Sequence, residues 1–388
     1  YDPAAGNTPT TETYLWSIVS LFALFLGIGL VLYVYGQMKA IFPEPFGAAG
    51  DSDSRLLTTP DLEQGLEIVR QTQRATWKFF ALAIVLFGLQ IVAGILCATD
   101  FVAVPMASML GRLLVPFSVA RSYHTLFQIF WFFMCWVGYT IFFLPRLAPV
   151  PRHQRLLIDA LFYLCLLVAI GSLVGIYLGQ TGRLTKGEAA YWWGSQGWEF
   201  MESGRAFQIL LLLAFSLWIF IIYRAVKPWL TRKYLWSVPA WLLYGSGVMV
   251  FFLFFGLFVA PESNFAVADF WRWMVVHMWV EVTFEVFTTV IVAYMLMQMG
   301  FINRAMAERT IFLAVMMFLF TATLGVAHNF YWIGKPTGII ALGSVFSTLQ
   351  VLPLILLTLD AWEMRQKGTQ AIQGRPGAVM GEVWLFIL

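Results

Sequence analysis

Nine long apolar runs divide the sequence, each close to the ~20 residues that a helix needs to cross a bilayer. They cover approximately residues 14–35, 77–98, 119–144, 156–178, 206–222, 238–260, 271–299, 310–333 and 340–360, and a tenth run starts near Val379. Hydrocarbon offers the backbone no hydrogen-bond partner, so a chain crosses it as helices or as a closed barrel. Runs this long, without the alternation of a barrel strand, select helices. The expected fold is an all-α, polytopic membrane helical bundle, read as a single integral-membrane domain over residues 1–388. Composition agrees: 60% of the residues are hydrophobic and 12% charged, against roughly 25% charged in soluble domains.

Basic residues fix the expected orientation. Seventeen of the 24 Lys and Arg residues fall in alternate loops, from Lys39 and Arg55 to Lys367 and Arg375. Those loops are read as cytoplasmic, with the N-terminal end of the chain outside. The expectation is a multi-pass protein of the bacterial cytoplasmic membrane, in contact with the lipid bilayer. The net charge of +3 is too small and scattered for nucleic-acid binding. Cys97, Cys135 and Cys165 each stand alone in an apolar run, which indicates neither a disulfide framework nor a thiolate zinc site. Because Tyr1 is not Met and the chain stops inside an apolar segment at Leu388, it is read as an internal piece of a longer protein. Residues 62–73 suggest an amphipathic cytoplasmic segment. The outer loop at residues 179–204, rich in Trp, Gly and acid, reads either as an interfacial aromatic belt or as more than a connector.

Within the seventh run stand His277, Glu281 and Glu285, four residues apart each time. On a regular helix that spacing puts all three on one face. Charge at membrane depth is expensive and normally faces a partner or a cavity. Of the four histidines, His153 sits in a basic loop and reads as solvated. His124, His277 and His328 lie five or six residues in from the outer ends of their runs, about 7–9 Å deep at 1.5 Å per residue. A lone histidine in a membrane is commonly a hydrogen-bonded core residue. Agreement in depth, with Glu281 beside His277, favours metal ligation, and mixed nitrogen and oxygen donors suit iron or copper. Around His124, Arg121, Phe127, Phe130 and Trp131 are the residue types an axial haem ligand requires: a cation for propionates and large apolar side chains. Glu285 reads equally as a proton-relay carboxylate or as a neutral, hydrogen-bonded carboxyl.

The stretch His277–Glu285 resembles the His-x-x-x-Glu-x-x-x-Glu helix of bacterial nitric oxide reductases, within the haem–copper oxidase superfamily. Oxygen reductases of that superfamily carry Tyr where this chain has Glu281. The resemblance extends to Arg121–Trp131, to Gln196-Gly197-Trp198-Glu199 and to Gly325–Gly334. Gly6–Thr10 and the first run resemble the single-chain, quinol-dependent form. The resemblance implies a helical bundle with low-spin haem b, high-spin haem b3 and a non-haem iron, FeB. His124 would be an axial ligand of haem b, and His277, His328 and Glu281 ligands of FeB. Glu199 would help bind calcium near the haem propionates. The haem b3 ligand and the second haem b ligand are expected beyond Leu388.

Two departures alter the expected activity. The family's eighth-run motif has a second His that ligates iron, and Asn329 stands there. The quinol-dependent enzymes carry a quinol-binding His and Glu where this chain has Thr99 and Ala103, neither of which can exchange a proton with a quinol. Both departures resemble the reductase-like proteins described as nitric oxide dismutases, to which conversion of 2NO to N2 and O2 without an external donor is ascribed. Nitric oxide is therefore the expected substrate, with Glu281, Glu285 and Asn329 as the catalytic set. A divergent reductase (2NO + 2e⁻ + 2H⁺ → N2O + H2O) is the alternative. A proton- or ion-coupled transporter using the same polar face is a rival of another class, and haem absorbance separates it from both.

Overall fold

A computed structural model of the chain describes residues 10–41, 66–99, 115–198, 201–298, 302–333 and 335–371. The expected tenth run, Ala103 and Glu199 lie outside the described residues. Among the described residues, nine helices are long and apolar enough to cross a membrane, and they coincide in order with the nine apolar runs. Most extend beyond the runs by a few residues: the fourth covers Gln154–Gln180, the fifth Arg205–Trp229 and the ninth Thr337–Trp362. The excess includes polar or aromatic residues such as Gln154, Arg205, Trp229 and Trp362, as expected where helix ends pass into the headgroup region. The architecture is the expected polytopic helical bundle. The amphipathic segment forms the short helix Leu66–Arg74, which leads through a turn at Ala75 into the second span. Between the fourth and fifth spans, Gly187–Trp193 is a helix of its own.

The described residues form two compact units. One contains the first span, residues 232–249, and the chain from His277 onward. Its apolar core brings Val31 and Tyr35 of the first span against Leu313 and Met317 of the eighth and Val345, Leu349 and Leu356 of the ninth. Beneath that core, the Tyr35 hydroxyl donates to the Asp360 carboxylate. Arg309 pairs with the same carboxylate at 3.4 Å and lies over the Tyr35 ring at 5.2 Å. All three are nearly inaccessible. A buried charge is tolerable only when paired and hydrogen-bonded in this way.

The other unit holds the second to fifth spans and residues 250–276. Here the second and third spans pack most extensively on one another. Aromatic edges and hydroxyls join the helices: Phe79 meets Phe162 edge-on, and the buried Trp218 indole donates to Thr140 Oγ1 at 2.9 Å. Arg205 spends its guanidinium on the carbonyls of Gly256 and Val259, where the sixth span ends in a tightened turn. Such a helix end leaves carbonyls without intrahelical partners.

Candidate active site

The seventh span is not a regular α-helix. It begins with Phe265–Trp273, capped by the Asn264 side chain, and then widens into π-helix over Met274–Trp279 and again over Val282–Phe287. A third π segment, Phe318–Ala322, interrupts the eighth span. Each π turn accommodates an extra residue, and such turns concentrate at functional sites. Threonine hydroxyls serve the carbonyls along these turns: Thr283 Oγ1 donates to Trp279 O at 2.6 Å and Thr321 Oγ1 to Met317 O at 2.6 Å. Back-bonding of this kind bends helices.

The three polar residues spaced by four in this span fall in different helical segments. His277 lies in the first π segment, Glu281 in the short α-helical spacer and Glu285 in the second π segment. His277 and Glu281 do meet, with Nε2 2.9 Å from Oε1, and they are 6% and 8% exposed. Glu285 is only half-buried.

The eighth span ends in a tightened turn over Val326–Ile333, which places His328 and Asn329 beside His277. The His277 and His328 rings stand edge to face, 5.0 Å between centroids. His328 Nδ1 donates to the Gly325 carbonyl at 2.5 Å, so its lone pair is on Nε2. The Asn329 amide nitrogen donates to His277 Nδ1 at 2.7 Å. That assignment puts the ring proton on His277 Nε2, which faces Glu281 Oε1 and, at 3.3 Å, the Ala322 carbonyl.

Ser347 of the ninth span completes the cluster, donating to Glu281 Oε1 at 3.0 Å. The ninth span comes this close because residue 343 is glycine. A Cβ there would lie 2.6 Å from the His328 backbone nitrogen. Neither Ser347 nor Gly343 emerges from the sequence as a site residue, since each reaches the cluster across more than a dozen residues.

The carboxylate also offers a test for a metal. Glu281 Oε2 is buried without a hydrogen-bond donor, and an unsatisfied carboxylate oxygen is what a bound cation satisfies. Two imidazoles and a carboxylate are also the donor types that iron accepts. Among the described residues, no three or more His, Cys, Asp or Glu side chains are already gathered around one point. The donor set therefore fits iron in kind, and His277 must exchange one of its hydrogen bonds to ligate it.

In the other unit, His124 is half-buried on the third span, and its Nδ1 is 2.9 Å from the Gln90 carbonyl of the second. Phe127 and Phe130 are buried on the same helix, whereas Arg121 is exposed. Gly94 makes the cradle: a Cβ at that position would sit 2.9 Å from His124 Cε1. Thr99 ends the second span with its hydroxyl turned back on the Leu96 carbonyl at 2.8 Å.

Comparison with known proteins gives this arrangement a context. Residues 74–387 match the protein family described as "Cytochrome C and Quinol oxidase polypeptide I". The chain is also 29% identical over 296 residues to a nitric oxide reductase polypeptide of Stutzerimonas stutzeri, an alignment covering 76% of this chain. The same alignment spans 60% of that relative's length.

Proposed function

Because the chain belongs to the Cytochrome C and Quinol oxidase polypeptide I family, we propose that it forms part of an oxidoreductase acting on nitric oxide, and that its reaction is 2NO → N2 + O2. The observation that carries this choice is the Asn329 amide nitrogen on His277 Nδ1. An amide nitrogen has no lone pair to give a metal. At this position Asn329 occupies an imidazole nitrogen rather than adding a third one, so the site differs from one built for ordinary reduction.

On this reading His277, His328 and Glu281 would hold a non-haem iron, and His124 and Arg121 would hold haem b. The reading also requires haem b3, and calcium at Glu199. Metal and haem together supply the redox-active centre at which two nitric oxide molecules exchange electrons. The chain's own residues bind and orient. Before a metal binds, Ser347 and His277 both hold Glu281 Oε1, and the near-complete burial of His277 and Glu281 excludes water from the donors. Holding two reactant molecules together is where a site of this kind gains most. Dismutation balances without external electrons or net protons. Thr99, bonded back to its own helix, offers a quinol no base, which supports a reaction without that donor. Glu285 then has no obligatory relay duty and is proposed to tune the charge near Glu281.

Reduction to N2O is the second reading, favoured by the name and 29% identity of the relative. Anaerobic full-length protein supplied with ¹⁵NO separates the two. ¹⁵N-labelled N2 and unlabelled O2 in equal amounts, formed without reductant, are expected. Labelled N2O that depends on added reductant overturns dismutation in favour of reduction.

A further inference from the structure

We propose that Gly94 and the main-chain carbonyl of Gln90 position His124, holding its ring with Nδ1–H on the carbonyl and leaving Nε2 as the ligating nitrogen. The inference rests on the reading of His124 as an axial haem ligand and adds residues that no comparison assigns. Gln90 and Gly94 are one turn apart on the second span, so the Gln90 carbonyl already accepts the Gly94 N–H within the helix. A carbonyl oxygen has two lone pairs, and His124 Nδ1 takes the second at 2.9 Å. The ring can reach that carbonyl only over residue 94. With a Cβ there, Cε1 would be 2.9 Å away and Nδ1 3.0 Å away. Any residue but glycine therefore turns the ring or drives the two spans apart.

A second contact steadies the acceptor. Trp131, two turns along the third span from His124, donates its indole N–H to Gln90 Oε1 at 2.6 Å, and its ring packs edge-on against Phe87. Gln90 thus accepts from the third span through both its main chain and its side chain. A ring N–H given to a carbonyl fixes the imidazole tautomer and raises the basicity of the other nitrogen. A more basic axial ligand favours ferric over ferrous iron, so this contact lowers the reduction potential of the haem it serves.

Full-length protein carrying Gly94→Ala is expected to keep a low-spin haem, with a midpoint potential above that of the parent. Gly88→Ala on the same helix, where an added Cβ meets nothing within 4 Å, is the matched control and should leave the potential unchanged. His124→Ala tests the underlying reading separately. If the low-spin haem survives that change, His124 is not its ligand and the inference falls with it. If His124→Ala loses the haem but Gly94→Ala leaves the potential where it was, the positioning role alone is overturned. Should Gly94→Ala fail to assemble, pulsed EPR of the parent decides. A remote imidazole nitrogen with an exchangeable, strongly hydrogen-bonded proton supports the inference, and its absence refutes it.

Discussion

Gly343→Ala tests the architecture of the site most directly, because the contact it disturbs is backbone against backbone. The added Cβ would lie 2.6 Å from the His328 nitrogen and 3.2 Å from the Ala327 carbonyl carbon. No flexible side chain is there to yield. Restoring an ordinary separation moves the ninth span away from the His328 turn by about 0.8 Å. Ser347 lies one turn further along the same helix, and its 3.0 Å bond to Glu281 would stretch beyond hydrogen-bonding range. Losing a hydrogen bond to a charged group costs about 1.5–3 kcal/mol, and overpacking adds roughly 1–3 kcal/mol. A tenfold change in an equilibrium needs only about 1.4 kcal/mol, so both stability and metal retention should fall measurably. The assay is tryptophan-monitored thermal unfolding in detergent, together with iron per protein after purification. Gly247→Ala, where a Cβ meets nothing within 4 Å, is the expected silent control. If Gly343→Ala matches the parent in both unfolding and iron content, the close approach does not organise the site.

Asn329→His should raise iron occupancy and shift products toward N2O. An unchanged product ratio with the iron fully loaded would show that Asn329 does not set the reaction. Ser347→Ala should lower iron content less than Gly343→Ala does, since it removes one donor to Glu281 without moving the helix; the reverse order contradicts the proposed linkage. Arg309→Met or Asp360→Leu alone should destabilise by about 3–5 kcal/mol, because each leaves a buried partner stranded, whereas the two together should lose less than the sum of the singles, the Tyr35 hydroxyl still lacking its acceptor. Denaturation in detergent reads this, and single-variant losses that simply add in the double variant would deny the coupling.

The nine spans were legible because hydrocarbon imposes a length and a composition that no tertiary contact can override. The meeting of His277 with Glu281 was legible for a similar reason, since residues four apart on a helix are neighbours. The π segments over Met274–Trp279 and Val282–Phe287 were not legible, since nothing in the local pattern announces a widened turn. Ser347, Gly343 and Gly94 were hidden for a different reason. Their importance lies in what a neighbouring helix brings against them, and a glycine needed for such an approach looks in sequence like any other glycine in a membrane helix.

Asn329 was legible as a departure but not as a hydrogen-bond donor, and the difference bears on how the site is built. Read as a missing ligand, it leaves His277 as an expensive group in the membrane interior. Its amide instead satisfies Nδ1 while Glu281 and Ala322 satisfy Nε2, so the imidazole is hydrogen-bonded on both sides by protein alone. Satisfied buried polar networks rigidify their surroundings, and partly satisfied ones do not. The His277 ring is therefore held by protein alone, whereas Glu281 Oε2, buried without a donor, is the atom for which the protein makes no such provision. On the proposed reading, iron would gain most at the carboxylate and cost most at His277, where a hydrogen bond must be given up. A third imidazole in place of Asn329 would reverse that balance by removing a competitor for His277 Nδ1 and adding a nitrogen donor.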